Sequence, residues 1–430
     1  MTKVVDRRAA VQLACTLVTR SLERTALLGV WLIAVAFLSA CGDDSNGAVT
    51  ATPTATPTTT ATPTAVPLTS AQVLQPGPYG VGVTTMTFVD ASRPTMPNGT
   101  HAGAPSRTLV TEIWYPAETV SNATTPQTRD AALAHAGEPY PLVIYSHGFI
   151  SNRSGGAYLA QHLASHGYIV ASPDFPLTYN AAPGGANSLD LANQPGDVHF
   201  LIDQLLSLSA ADQGRFTGSI DRERIGLTGL SLGGSTTLLA AFHPTLRDPR
   251  VRAAAPMAGV ACYLGPDFYG HTSVPLLIVH GDLDAIVPYQ ANAVFAFGEA
   301  NPPKYLMTIA GGSHTAFTEG AEIFEQANNP DDVGCSALSS VGNHDSDVSL
   351  RDLLGGPAAG IITGVCPPGC TSKRQPRSIR PSRQHQLTIL SIFPFFEAYL
   401  RSDARARRFL DETLAAENPD LTTQLQVAGN

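Results

Sequence analysis

Apolar residues along the chain follow two periods. "RTLVTEIWYP" (Arg107–Pro116) alternates apolar and polar residues, as a strand with one covered face does. "YPLVIYSHG" (Tyr140–Gly148), "YIVASPD" (Tyr168–Asp174), "RIGLTGLS" (Arg224–Ser231), "VRAAAPMAG" (Val251–Gly259), "VPLLIVHGD" (Val274–Asp282) and "KYLMTIAGGSH" (Lys304–His314) are short apolar runs closed by turn residues. That is the pattern of strands buried on both faces. Between them lie segments with helical spacing: "AYLAQHLASHG" (Ala157–Gly167), "VHFLIDQLLSL" (Val198–Leu208), "STTLLAAFH" (Ser235–His243) and "YQANAVFAFGEA" (Tyr289–Ala300). "LTILSIFPFFEAYL" (Leu387–Leu400) begins the last long helix. Strands alternating with helices predict an α/β fold, a mostly parallel central sheet with helices on both faces. In such sheets a ligand sits outside the carboxyl ends of the strands. His147, Asp174, Ser231, Asp284 and His314 fall at those ends.

The N-terminal residues break this pattern. Arg7, Arg8, Arg20 and Arg24 precede a short apolar run, "ALLGVWLIAVAFL" (Ala26–Leu38), which ends in "LSAC" (Leu38–Cys41). The run is too short to span a bilayer comfortably. Apolar core, small residues and cysteine in this order resemble the lipobox of bacterial lipoproteins, which makes residues 1–40 a signal peptide and Cys41 the lipidated residue. Gly42 stands where enteric bacteria place the aspartate that signals inner-membrane retention, so the expected location is exported and lipid-anchored, at the outer membrane or cell surface, with the periplasmic side open. "VTATPTATPTTTATPTAVP" (Val49–Pro67) cannot build a core and completes a spacer over residues 41–67. Residues 68–430 are then the working domain. Its partners are a small-molecule or polymeric substrate and, through the lipid, a membrane. The net charge of −9 leaves no electrostatic footprint for nucleic acid.

The candidate chemistry centres on "GLSLGG", where a strand hands over to a helix. Gly229 and Gly233 flank Ser231 in a G-x-S-x-G pattern, the sharp turn that lifts a serine hydroxyl above a sheet. "SHGFISNRSGG" (Ser146–Gly156) follows an earlier strand and can present the Phe149 amide, which with the Leu232 amide forms a two-donor oxyanion hole. His147 is expected to shape that loop. "HGDLDAIVP" offers two acids; Asp284 lies further into the loop, where it can turn back to a histidine, and Asp282 organises the turn. Of twelve histidines, His314 closes a strand after the acid. The order Ser231, Asp284, His314 is that of an α/β hydrolase, and each interval leaves room for a helix and a strand. Ser231 would be acylated, His314 would carry the proton and Asp284 would hold the imidazole; no metal or organic cofactor is needed.

Cys262, Cys335, Cys366 and Cys370 are an even number in an oxidising compartment and predict two disulfides, with three connectivities open. "CPPGC" (Cys366–Cys370) has no second such pair and is not a zinc signature. An insertion at about 322–385, before the last helix, holds three of these cysteines and the basic run "SKRQPRSIRPSR", a solvated loop rather than a phosphate site. The loop "LTYNAAPGGANSLDLANQ" (Leu177–Gln194) is expected at the pocket rim.

The segments "GPYGVG", "EIWYPA", "VIYSHGF", "LASHGYIVASPDFP", "DRERIGLTGLSLGG", "HGDLDAIVP", "AGGSH" and "FFEAYLRSDARARRFL", in this order, resemble the dienelactone hydrolase and platelet-activating-factor acetylhydrolase group of α/β hydrolases. They are similar in nearly the same places to cutinase-like polyester hydrolases. The resemblance covers most of Gly77 to Leu410. It implies a serine carboxylic ester hydrolase acting on short-chain, lipid-like or polyester esters, with the triad above and oxyanion amides at Phe149 and Leu232. It departs in three ways. Dienelactone hydrolases use a cysteine nucleophile where this chain has Ser231. The eukaryotic acetylhydrolases carry an acid where this chain reads "APMAGVAC". Polyester hydrolases carry an aromatic where this chain has Leu230. Acyl transfer by the same triad and a non-catalytic surface binding protein are the alternatives.

Overall fold

Ten strands form one sheet in a computed structural model that describes residues 66, 68–118, 127–135, 137–341, 349–363 and 366–427. The chain divides into two units, Met1–Thr62 and Pro63–Asn430, and the described residues all belong to the second. The predicted signal peptide, Cys41 and all of the spacer but Val66 lie outside the described residues.

The strands in chain order are β1 (Gly80–Asp90), β2 (Arg107–Ala117), β3 (Thr128–Arg129), β4 (Tyr140–Ser146), β5 (Ile169–Pro173), β6 (Ile220–Leu230), β7 (Val251–Met257), β8 (Leu276–Gly281), β9 (Lys304–Ile309) and β10 (Leu421–Gln426). Their spatial order is β10-β9-β8-β7-β6-β4-β5-β2-β1-β3. From β5 through β4, β6, β7 and β8 to β9 every pairing is parallel; β2 and β10 join antiparallel at the two sides. The parallel strands are the continuous apolar runs of the sequence. β4, β5, β8 and β9 are buried along their whole length, because helices cover both faces.

Two apolar clusters separate along those faces. On one side, Val198, Leu201, Ile202 and Leu205 of the helix Gln194–Ala210 pack with Leu238 and Leu239 of the elbow helix Leu232–Phe242. On the other, Leu159 and Leu163 of the helix Ala157–Ser165 pack with Leu387, Leu390, Phe395 and Phe396 of the last long helix, Pro381–Leu400. That helix starts ahead of its apolar run, so residues 381–385 are its N-terminal end. β1 and β10 carry no strand signal of the kind that marks the interior, since β1 is rich in glycine and threonine and β10 is mostly exposed. The insertion is tied down by two disulfides, Cys262–Cys366 and Cys335–Cys370. The two cysteines of "CPPGC" therefore hold different partners, and their turn joins the two bridges.

Candidate active site

The turn after β6 is built by exclusion of side chains. A Cβ at Gly233 would stand 2.0 Å from the Ser146 carbonyl oxygen, and one at Gly229 would stand 2.5 Å from the Gly233 oxygen. Only glycine lets the elbow close against the end of β4. Ser231 pays for that closeness in its own backbone, at φ 58° and ψ −118°, a region that side-chain-bearing residues avoid. Its amide donates to the Met257 carbonyl at 2.9 Å, which pins the turn to β7. Leu232 follows as the first residue of the elbow helix.

β4 delivers the second loop. His147 is fully buried; its Nδ1 lies 2.8 Å from the Gly148 oxygen and its Nε2 accepts the Phe175 amide at 3.1 Å. Both ring nitrogens are thus used inside the loop, and burial pushes the imidazole down toward its neutral form. A Cβ on Gly148 would touch the Leu230 oxygen and the Ser231 Cβ at 3.4 Å each, so this loop lies directly against the nucleophile candidate. The amides of Phe149 and Leu232 have no hydrogen-bond acceptor among the described residues. Asp174 is engaged elsewhere: it accepts the amide of Arg153 at 2.6 Å and its guanidinium at 2.5 Å.

β8 and β9 end side by side. A Cβ at Gly281 would stand 2.2 Å from the Gly312 oxygen, so the loops after the two strands are in close backbone contact. Asp282 accepts the Gly311 amide at 2.7 Å, while Asp284 lies 2.7 Å from His314 Nδ1. The other Asp284 oxygen accepts the amides of Ile286 at 2.9 Å and Val287 at 2.7 Å. His280 Nε2 lies 3.2 Å from the His314-bonded oxygen. Burial alone would raise the Asp284 carboxyl; the His314 charge and the hydrogen bonds of His280 and His314 overturn this and hold it far below the usual carboxylate range. Burial would likewise lower His314, but the Asp284 carboxylate and its hydrogen bond, with a further pull from Asp331, raise the imidazole above its ordinary value.

Ser231 and His314 line one cavity of about 310 Å³. The loop after β4 gives it Phe149, Ile150 and Asn152; the loop at residues 177–194 gives Asn180; the acid loop gives Ile286. The insertion contributes a wall of Gly334, Ala337 and Leu338, from the helix Asp331–Ser339. Three residues close to the base escape a reading of the sequence. Gln384 holds residue 313 by both ends, accepting the Ser313 amide at 3.0 Å and donating to its carbonyl at 2.7 Å. Asp331 accepts the amides of His314 and Thr315. His280 backs the acid. Asp331 has one local signal, the Asn-Pro-Asp start of a helix, but that signal says nothing of what the carboxylate binds.

Known proteins resemble this chain in the same region. The PET hydrolase-like family model matches residues 133–328. Cutinase 2 of Thermobifida cellulosilytica is 29% identical over 154 residues, which are 36% of this chain and 52% of that protein. The platelet-activating factor acetylhydrolase of Canis lupus familiaris is 25% identical over 237 residues, 46% of this chain and 52% of that protein. The chain thus spans about half the length of these relatives. The ferulic acid esterase from Streptomyces cinnamoneus superposes with a TM-score of 0.55 at 21% identity, over 82% of this chain and 98% of that one. A parallel sheet with helices on both faces, a strained serine elbow after β6 and these likenesses show that the chain has the α/β hydrolase fold.

Proposed function

We propose that the protein is an exported, lipid-anchored serine carboxylic ester hydrolase that works through an acyl-enzyme on Ser231. One observation carries the reading: a buried Asp284–His314 hydrogen bond of 2.7 Å opens onto the same cavity as a serine in a strained elbow. With Nδ1–H donated to Asp284, His314 keeps Nε2 free as a base. It takes the Ser231 proton as Oγ attacks the ester carbonyl carbon. The amides of Phe149 and Leu232, without an acceptor among the described residues, receive the charge that forms on the carbonyl oxygen. His314 gives the proton to the departing alcohol; it then takes one from water as the water oxygen adds to the acyl carbon, and returns it to Ser231 Oγ as the Oγ–carbon bond breaks, which releases the acid and restores Ser231.

The described residues lining the cavity include no Asp, Glu, Lys or Arg, which favours uncharged esters. At about 310 Å³ it suits a short acyl group or one segment of a lipid-like or polyester chain. Two disulfides support an oxidising compartment outside the cytoplasm. Among the described residues no helix is long and apolar enough to cross a membrane; the lipobox-like "LSAC" assigns the anchor to Cys41.

The test is hydrolysis of p-nitrophenyl acetate, butyrate and octanoate by the oxidised protein beside Ser231→Ala, with a fluorophosphonate probe. The expected outcome is turnover that declines with acyl length, and loss of both turnover and labelling in the variant. Labelling that survives in Ser231→Ala overturns the assignment of the nucleophile. Folded wild type with neither turnover nor labelling moves a binding role to the front.

A further inference from the structure

The insertion reaches the candidate base through one side chain. Asp331, the first residue of the insertion helix, is fully buried. Its Oδ2 accepts the amides of Ala285 and His314, both at 3.0 Å, and its Oδ1 accepts the Thr315 amide at 2.7 Å. No Lys, Arg or His side chain pairs with this carboxylate among the described residues. A buried charge without a counter-ion is costly, and three amide donors are what satisfies this one. Those donors are specific. Ala285 is the residue after the candidate acid, and His314 is the candidate base. Asp331 therefore joins the two loops through their backbones, while Asp284 joins them through its side chain.

The carboxylate is itself held on several sides. Asn329 Oδ1 accepts the Asp331 amide at 2.9 Å. The Cys370 amide donates to the Ala285 carbonyl at 2.6 Å, and Cys370 is bonded to Cys335 of the same insertion helix. Within that helix, Gly334 lies so close to the base loop that a Cβ there would stand 2.2 Å from Thr315 Oγ1.

We infer that Asp331 is a positioning residue for ester hydrolysis: by fixing the Asp284 loop to the His314 loop it sets the imidazole in the cavity and makes the insertion a required part of the site. The inference rests on the reading of Ser231, Asp284 and His314 as a triad. A misplacement of about 1 Å between such groups can cost on the order of 10²-fold in rate, so the effect should be large and fall on kcat. It should also carry an electrostatic mark. Asp284 from the β8 loop and Asp331 from the insertion both raise His314, and His280 acts on it through Asp284. Removing the Asp331 charge lowers the His314 pKa, so the acid limb of kcat/KM moves to lower pH.

The experiment compares Asp331→Asn with wild type, Ser231→Ala and Asp332→Asn in the full oxidised chain. Asp332 accepts the Gln375 amide at 3.0 Å and so anchors the insertion, and its side chain makes no hydrogen bond to either loop among the described residues. Expected are a kcat at least about tenfold lower in Asp331→Asn, with KM within about threefold and the acid limb displaced downward. Asp332→Asn should keep the wild-type rate and limb. A wild-type kcat in folded Asp331→Asn overturns the inference, as does a loss with an unmoved limb that follows the folded fraction by circular dichroism. If Asp331→Asn does not fold, Asn329→Ala replaces it, with a several-fold loss of kcat and the same direction of shift expected; unchanged values in that folded variant overturn the inference. Activity surviving in Ser231→Ala reports failure of the triad reading instead, separately from these outcomes.

Discussion

Each member of the candidate site is set by its immediate surroundings. Ser231 stands where glycine neighbours force the backbone through a positive φ, and the cost of that conformation is met by packing against β4 and β7. Asp284 is fully buried yet held low, so it stays ionised through any ordinary assay. His314 is raised and must be neutral to act as a base. The sign of the pH dependence follows: kcat/KM should fall as pH drops through the His314 pKa, with the midpoint above the roughly 6.5 of a free imidazole. A pH series on p-nitrophenyl butyrate measures it, and a midpoint below that value would contradict the raised imidazole. Asp284→Asn should cost about 10³–10⁴-fold in kcat, since the amide no longer fixes the tautomer. The variant's single-turnover rate reports this directly.

At the scale of elements, the insertion is fastened to the loops after β8 and β9 and is not a loose loop. The Cys335–Cys370 bridge spans a sequence separation of 35 and is worth about 3–4 kcal/mol in the chain-entropy account. Cys335→Ser with Cys370→Ser should lower stability by roughly that amount. Because Cys370 also donates to Ala285, activity should fall in the pair before global unfolding begins, as parallel rate and circular dichroism measurements in urea would reveal. The parallel strands are legible because each is a continuous apolar run ending in glycine, serine, histidine or aspartate. β6 begins earlier than its apolar stretch, since its "DRER" is polar and partly exposed. β10 escaped because an exposed edge strand needs no apolar pattern. Asp284 and His314 could be picked out because each closes such a run. Asp331 and Gln384 could not, because they bind backbone amides, which every residue except proline carries alike.

The whole molecule combines an acidic chain with a basic stretch at 373–380 in which Lys373, Arg374, Arg377 and Arg380 are exposed. No salt bridge engages these four among the described residues, which is the behaviour of a solvated face. In the proposed function the membrane is reached through the lipid on Cys41, so Cys41→Ser should shift the protein from the membrane fraction to the soluble fraction with kcat unchanged. Fractionation followed by the p-nitrophenyl butyrate assay tests this, and retention of the variant on membranes would place the anchor elsewhere.

The pairing of β10 with β9 has a mechanical meaning. β9 leads to His314, and the Ala310 amide just beyond it is bonded to the carbonyl of Asp420, beside β10. The loop of His314 thus hangs from a strand clamped between β8 and the outer strand β10. A pull that peels β10 away reaches that loop with no other strand between, so the outermost hydrogen bonds of the sheet act as a mechanical brace for the imidazole.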